Sequence, residues 1–250
     1  MQHILKKLVP ETLKKIVQHY RGKGLQHSDH LLESTIYADI GEAGPLVKDV
    51  FSRLKDIPGF FNFDDCGHFF LVLSYQSAME IKGDLLEIGS YHGRSTALMA
   101  KCLKPGERIV VCDAFELDVD DNYDNKPSPE NLISNIQRVN REIERDRIVI
   151  HKCLSNDLHL DADEKFRFIH IDGGHSAEQS YFDLQLCSKH LLLNGIIAMD
   201  DYHCKYWPEV TQGIDRFLTD SDEFSVLADL NRHGAHGRKL YLIKTNNLPM

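Results

Sequence analysis

The chain has 250 residues, of which 42% are hydrophobic and 27% are charged, as is typical of a soluble globular protein with one large domain. Its formal net charge of −9 argues against nucleic acid as a partner, because a surface that follows phosphate groups has to be basic. No apolar run reaches the roughly 20 residues of a membrane helix, and six scattered cysteines without a CxxC pair favour reduced thiols and a cytoplasmic protein.

The first 60 residues are predicted to form a helical extension, and residues 61–250 the main domain. Residues 1–25 combine six lysine and arginine side chains with apolar residues at helical spacing, which is typical of a basic amphipathic helix. Such a helix can contact a membrane surface or an acidic partner, or it can pack on its own domain. It can also pack on a second copy of the chain, and the N-terminal helices are therefore a candidate interface for a homo-oligomer.

From residue 82 onward, short apolar segments alternate with helical ones. Apolar strands separated by helices indicate a parallel sheet that is covered on both faces. The five predicted strands are DLLEIG, RIVVCD, RIVIHKCL, FRFIHID and GIIAMDD. Two further strands, FSVLADL and RKLYLIK, are joined by the turn-like NRHGAHG and predict a hairpin that adds an antiparallel strand at the edge. The expected fold class is thus α/β, with a Rossmann-like, mostly parallel, seven-stranded sheet.

The acidic segment ELDVDDNYDNKPSPENLI at 116–133 interrupts the second crossover. It is either a solvated loop or an active-site lid.

The stretch LLEIGSYHGRSTALMA is predicted to be a strand, a glycine turn and a helix. Gly89 and Gly93 are spaced GxxxG, which is neither a dinucleotide fingerprint nor a phosphate-binding P-loop. Asp113 ends the second strand, where an acid is placed to bind the two ribose hydroxyls of an adenosine. An adenosine ligand without a pyrophosphate fits this turn. S-adenosylmethionine is such a ligand, and its cationic groups suit an acidic site near Glu87.

Three further acids follow the fourth and fifth strands. Asp172 ends the fourth strand, and Asp200 and Asp201 end the fifth. In a sheet ordered 3-2-1-4-5 these strands are neighbours about 4.8 Å apart, so their ends bring three carboxylates together. Clustered carboxylates repel one another unless a proton or a cation joins them, and oxygen ligands favour Mg²⁺, Mn²⁺ or Ca²⁺ over Zn²⁺. The alternative is that these acids only cap the following segments.

The segment DGGHS, which begins at Asp172, is predicted to be a loop up to His175. Ser176 and Gln179 fit an S-x-x-E/Q capping box, so the next helix begins after Ser176. The two glycines leave space for a substrate. His175 stands at the rim, and histidine is the side chain most often used as a general base near neutral pH.

These stretches resemble a known family. LLEIGSYHGRSTALMA resembles the first motif of class I methyltransferases and is most similar to the catechol O-methyltransferase branch. FIHIDGGHSAEQSYFDL and NGIIAMDDYHCKYWPEVTQGIDRF resemble the metal-dependent macrocin-type sugar O-methyltransferases. The resemblance extends from about residue 82 to residue 244 and leaves out residues 1–60.

The resemblance implies a role for the residues of the glycine turn and of the next two strand ends. The implied cofactor-binding residues are Glu87, Gly89, Tyr91, Gly93, Ser95, Asp113 and Ser155. Ser95 would hold the methionine carboxylate at a helix N-terminus, where free N–H groups favour an anion. Asp113 would bind the ribose and Ser155 would lie at the adenine, although Ser155 is equally well explained as a turn or cap serine.

The expected activity is transfer of the methyl group of S-adenosylmethionine to a hydroxyl of a small polyhydroxy acceptor, a sugar or a natural product. Asp172, Asp200 and Asp201 would bind Mg²⁺ or Mn²⁺, and His175 would be the base. Alternatives are an oxygen-inserting hydroxylase of related fold and a non-catalytic protein that binds the cofactor. Methylation of RNA is a further alternative, but the negative net charge of the chain disfavours RNA as a substrate. A nicotinamide dehydrogenase is the most distant alternative.

Overall fold

A computed structural model describes residues 43–115, 126–232 and 237–245. The predicted basic helix at 1–25, most of the acidic segment at 116–133 and the centre of the turn NRHGAHG lie outside the described residues. By its internal contacts the chain divides into Met1–Leu46 and Val47–Met250. The division at residue 60 into an extension and a main domain stays a prediction.

Two helices precede the sheet: α1 spans Ala43–Leu54 and α2 spans Phe63–Ala78. Aspartate is favoured at the N-cap of a helix, so the sequence predicts Asp64 or Asp65 as the N-cap of α2, and this prediction is wrong. The N-cap is Asn62, whose side chain accepts a hydrogen bond from the backbone N–H of Asp65 at 3.0 Å. The carboxylate of Asp65 accepts the backbone N–H of Asn62 at 3.0 Å. This reciprocal capping box satisfies two backbone donors at once and places Asp65 at the third position of the helix.

Seven strands form a single sheet. They are β1 (Asp84–Ile88), β2 (Ile109–Asp113), β3 (Ile148–Lys152), β4 (Phe166–Ile171), β5 (Leu191–Tyr202), β6 (Phe224–Leu230) and β7 (Arg238–Lys244). Their order is β3-β2-β1-β4-β5-β7-β6. The first five strands are parallel, whereas β7 is antiparallel to both of its neighbours and lies one strand in from the edge. The predicted α/β class and mostly parallel sheet are confirmed.

Helices connect the strands at the predicted places. They are α3 (Arg94–Lys101), α4 (Pro129–Val139), α5 (Ala177–His190) and α6 (Pro208–Asp220), with 3₁₀ turns at Arg145–Arg147 and Ser155–Asp157. Ser176 is the N-cap of α5 and accepts the backbone N–H of Gln179 at 3.2 Å, as predicted. Within the described ranges, no helix combines the length and the hydrophobicity that crossing a bilayer requires.

Both faces of β1, β2 and β4 are buried, which explains why these strands are apolar without alternation. On β1, Leu85 belongs to the core under α2 and α3, while Leu86 belongs to the core under α5 and α6. Part of the first core comes from the chain before the sheet: Val47, Val50, Leu54, Ile57 and Phe61. The carboxyl ends of the parallel strands are thereby fixed at one edge of the domain, where ligands of open α/β sheets bind.

Candidate active site

The turn after β1 depends on its glycines. Gly89 has a φ of +79°, and a Cβ atom at this position would lie 1.9 Å from the carbonyl oxygen of Asp172. Gly93 has a φ of +82°, and its Cβ atom would lie 3.0 Å from Cγ of Leu132. Both positions need the left-handed backbone that glycine adopts without strain. Gly89 is in addition required by the close approach of the chain after β4, whether or not a ligand is bound.

Asp113, at the end of β2, fastens this turn to the sheet. Its Oδ2 atom accepts the backbone N–H groups of Ser90 at 2.6 Å and Tyr91 at 2.8 Å, and Oδ1 accepts that of Phe115 at 2.6 Å. The sequence analysis predicted that Asp113 binds the ribose of the cofactor, and it missed this structural role. Since a carboxylate oxygen has two lone pairs, Oδ1 can accept one further hydroxyl. Tyr91 lies in the turn with a φ of 51°.

Two further predicted cofactor residues, Ser95 and Ser155, follow β1 and β3 in the chain. Ser95 is a buried residue in the first turn of α3. Ser155 lies in the 3₁₀ turn after β3, and its hydroxyl accepts a hydrogen bond from Nε2 of Gln179 at 2.8 Å. The side chain of Gln179 also packs against Gly174: a Cβ atom at position 174 would lie 2.7 Å from Cγ of Gln179. The end of β3 is therefore linked to the loop after β4.

The three predicted metal ligands line one small pocket. Asp172, Asp200 and Asp201 surround it together with Gly173, Gly174 and His175. One donor atom each of His170, Asp172 and Asp200 lies within 4.8 Å of the others. The structure thus brings the three acids and the histidine of the DGGH segment to the carboxyl ends of β4 and β5.

A β-bulge explains how two consecutive residues, Asp200 and Asp201, both reach this pocket. Neighbouring residues of a regular strand point to opposite faces of the sheet. The register between β5 and β7 shifts between Met199 and Tyr202, and Asp201 has a φ of 55°. A bulge re-aims side chains in this way and is often found beside active sites.

His175 lies at the rim of the pocket, where two neighbours orient its ring. Its Nε2 atom is 3.3 Å from Oδ2 of Asp201. The ring stacks on that of Trp207, with centroids 4.3 Å apart and an angle of 25° between the planes. Trp207 is itself 45% exposed, so the stacked pair faces solvent.

Two buried cations reach the acids from the hairpin side, and the sequence analysis assigned a role to neither. Lys239 of β7 is fully buried, and its Nζ donates to Oδ2 of Asp200 at 2.7 Å. Arg232 follows β6 and contacts Oδ1 of Asp200 at 2.5 Å. The sequence did contain a signal for such a pair, namely a lysine inside the apolar strand RKLYLIK. A lysine is almost never fully buried unless it is paired.

His170 continues this charged network toward β1. Its Nε2 atom lies 2.9 Å from Nζ of Lys239, and its Nδ1 atom lies 2.7 Å from Oε1 of Glu87. The hydroxyl of Thr96 bonds the other oxygen of Glu87. Glu87 is fully buried, and its side chain faces His170 and Thr96. Both ring nitrogens of His170 are engaged, which leaves the aspartates as the donors accessible from the pocket.

The network sets the charge of its members. Burial, and next the charge of Lys239, lower the pKa of His170, so that its ring is neutral. Burial would raise the pKa of Asp200, but Lys239 and Arg232 outweigh it and hold that pKa below its usual range. Asp200 is therefore an ionised carboxylate that already has two cationic partners.

Asp172 is in the opposite situation. Burial among protein atoms, and next the charge of Asp200, raise the pKa of Asp172 well above its usual range, and Asp201 adds to the effect. The residue nevertheless opens onto the pocket, so that water or an ion can reach the carboxylate. Asp172 is thus the acid that most needs a proton or a cation.

Comparison with known proteins identifies the fold of the chain. A methyltransferase domain family model matches residues 86–202, whereas no curated protein matches the sequence significantly. The O-methyltransferase NovP has a TM-score of 0.57 and 16% identity, covering 75% of this chain and 83% of its own. An O-methyltransferase from Bacillus cereus, solved in complex with SAH, has a TM-score of 0.52 and 21% identity, covering 79% and 88%.

A third similar structure is CalS11, described as a TDP-rhamnose 3'-O-methyltransferase of calicheamicin biosynthesis. It has a TM-score of 0.54 and 16% identity over 88% of this chain and 99% of its own. At these identities the structures establish the fold, and the family match covers the strands and turns that form the pocket. The chain therefore has the Rossmann-like fold of class I methyltransferases, and its residues 86–202 match a methyltransferase domain family.

Proposed function

We propose that the chain is an O-methyltransferase that transfers the methyl group of S-adenosylmethionine to a hydroxyl of a small polyhydroxy acceptor. One observation carries the proposal. The glycine turn, the acids and His175 lie together at the carboxyl ends of the central parallel strands, within the segment that matches a methyltransferase domain. The proposed cofactor residues are Gly89, Tyr91 and Gly93 of the turn, with Glu87, Ser95, Asp113 and Ser155 around it.

A sugar or natural-product hydroxyl is the proposed acceptor. CalS11 is described as acting on a TDP-sugar, and the net charge of −9 disfavours nucleic acid. The exposed Trp207 beside His175 offers an aromatic surface of the kind that commonly lines ligand pockets. We extend the proposal to a cytoplasmic protein of the macrocin type. We further propose that it forms a homo-oligomer through the helices predicted for its N-terminal extension.

The donor set fits a hard divalent cation such as Mg²⁺ or Mn²⁺. Asp65, Asp200 and Asp201 pair with the two cations Lys239 and Arg232, and Asp172 lines the same pocket as Asp200 and Asp201. When all four acids are ionised, they carry two more charges than the two cations offset. The charges of Asp200 and Asp201 add to burial in raising the pKa of Asp172.

Asp172, Asp200 and Asp201 are the proposed ligands of this cation. When bound, the cation would supply positive charge beside two vicinal oxygens of the acceptor and favour ionisation of one of them.

His175 is the proposed general base. In the tautomer that carries its proton on Nε2, which lies 3.3 Å from Oδ2 of Asp201, Nδ1 is the atom that would accept the proton of the acceptor hydroxyl. The acceptor oxygen then forms a bond to the methyl carbon, and the carbon–sulfur bond breaks to leave S-adenosylhomocysteine. Asp201 and Trp207 fix the imidazole in place, so that positioning contributes alongside proton transfer.

The first test of this function is cofactor binding followed by product mass. Calorimetry is expected to detect S-adenosylhomocysteine binding to the wild-type protein. Incubation with S-adenosylmethionine and a panel of sugar and catechol acceptors should give a product heavier by one methylene group. A product heavier by one oxygen atom would identify a hydroxylase instead, and binding without any product over the whole panel would favour a non-catalytic cofactor-binding protein.

Asp113→Ala is expected to weaken S-adenosylhomocysteine binding by roughly 10- to 150-fold, since a hydrogen bond to a charged group is worth about 1.5–3 kcal/mol. The variant also loses the bonds to Ser90 and Tyr91 that hold the turn, which acts in the same direction. Asp84→Ala is the matched control, because Asp84 lies at the opposite end of β1 and pairs with Arg108. Equal affinity in the two variants would remove Asp113 from the cofactor site.

A further inference from the structure

Lys239 is placed at the centre of a buried polar cluster. Its Nζ atom lies 2.7 Å from Oδ2 of Asp200, 2.9 Å from Nε2 of His170 and 3.8 Å from Oδ1 of Asp65. The rings of Phe61 and Phe69 flank it, with centroids 5.7 and 5.3 Å from Nζ. Charges in such an apolar surrounding interact more strongly than charges in water.

The carboxylates of Asp200 and Asp65 on either side of Nζ hold this lysine as a cation. An ammonium group can only donate, so Nε2 of His170 accepts from Nζ and Nδ1 of His170 carries the proton that faces Glu87.

Asp200 consequently differs from the other two acids of the pocket. Both of its oxygens are bonded to cations of the protein: Oδ1 to Arg232 at 2.5 Å, and Oδ2 to Lys239 at 2.7 Å. A carboxylate oxygen that already accepts a charged donor binds a metal ion less well, because the two cations repel each other and compete for the same lone pairs. Asp172 and Asp201 line the same pocket, and the guanidinium of Arg232 is 3.9 Å from Oδ1 of Asp201, against 2.5 Å from Oδ1 of Asp200.

We propose that Lys239, supported by Arg232, is a built-in counter-cation of Asp200 that lowers the affinity of the acid cluster for divalent cations. It leaves Asp172 and Asp201 as the principal ligands. Lys239 is a positioning residue that acts through Asp200. The inference rests on the proposed function in treating the acid cluster as the metal site, but its test measures ion binding and needs no turnover.

Mn²⁺ is the probe for this test, because the electron paramagnetic resonance of free Mn²⁺ reports its binding directly. The chain also has one tryptophan, which is Trp207, stacked on His175 at the pocket. Quenching of its fluorescence by paramagnetic Mn²⁺ therefore locates the bound ion. Both signals are titrated in wild type and in Lys239→Met, which keeps the length of the side chain without its charge.

The variant is expected to bind Mn²⁺ at least about tenfold more tightly than wild type, since a unit charge has been removed a few ångströms from the ion in a poorly screened site. The double variant Lys239→Met with Asp200→Asn removes both charges, and we expect it to lose this gain. Arg167→Met is a matched control: Arg167 is an equally buried cation that pairs with Glu107 at the opposite end of β4. It should leave Mn²⁺ binding at Trp207 unchanged.

Lys239→Met leaves Asp200 less well compensated and is expected to lower the thermal stability in EDTA. Mn²⁺ should then raise the melting temperature of this variant more than that of wild type, because a ligand that binds the folded state stabilises it in proportion to its affinity. This comparison keeps the test valid when the variant is partly unfolded at the start.

Equal Mn²⁺ affinities of wild type and Lys239→Met, or equal stabilisation of the two by Mn²⁺, would overturn the inference. A gain that persists in the double variant would overturn it as well, since the effect would then not pass through Asp200. S-adenosylhomocysteine binding is measured on the same samples. Its absence from every variant and from wild type would count against the proposed function and leave the Mn²⁺ comparison intact.

Discussion

Removal of divalent cations with EDTA is expected to abolish methyl transfer, and added Mg²⁺ is expected to restore it. The three acids that line the pocket are the proposed ligands of this cation, and the charges of Asp200 and Asp201 add to burial in raising the pKa of Asp172. Asp172→Asn should resist rescue by Mg²⁺, because an amide is a weak ligand for this ion. Initial rates over a Mg²⁺ titration provide the measurement.

The Asp172→Asn variant should remain folded, since a neutral side chain removes repulsion from Asp200 and Asp201. Its melting temperature in EDTA is therefore expected to equal or exceed that of wild type. Asp229→Asn serves as the control acid, because Asp229 pairs with Arg238 on the hairpin and should keep its response to Mg²⁺. Full activity of the wild-type enzyme in EDTA would leave the acids with a structural role alone.

His175→Ala is expected to reduce kcat by about two orders of magnitude or more, within the range of about 10²–10⁴ that general-base catalysis contributes. Binding of S-adenosylhomocysteine should stay near that of wild type, since the imidazole contacts Asp201 and Trp207 and lies outside the glycine turn. A loss confined to kcat identifies a group that acts in the transition state. Single-turnover rates and calorimetry separate the two quantities.

His190→Ala is the control for this substitution. His190 ends α5 and contacts the backbone of Glu164, so its loss should leave kcat unchanged. If His175→Ala keeps kcat within a few-fold of wild type, His175 is not the general base and Asp201 becomes the candidate for this role.

The topology could be predicted from the sequence because its signals are local. Apolar strands such as FRFIHID, the Ser176 cap and Pro208 at the start of α6 each act within a few residues. The common edge of the acids follows from parallel strands, whose carboxyl ends meet at one side of the sheet. The N-cap of α2 was missed because Asn62 and two acids compete for one position, and only the reciprocal bonds decide it.

The charged network could not be predicted, because it depends on pairings between distant residues. Lys239 reaches Asp200 and His170 across 39 and 69 positions of the chain, and the β-bulge near Asp201 arises from the register between β5 and β7. No local pattern specifies such a register. Polar residues inside apolar strands, His170 in FRFIHID and Lys239 in RKLYLIK, were the available signs, since buried polar groups are found with partners.

The position of β7 also constrains the order of folding. This strand follows β6 in the chain but lies between β5 and β6 in the sheet. During synthesis, β5 therefore has an open edge until residues 238–244 have emerged, and contacts over long sequence separations form slowly. Asp200 has no lysine partner until residue 239 has emerged. Pairing of β7 with β5 therefore both fills the open side of β5 and supplies the lysine that offsets the charge of Asp200.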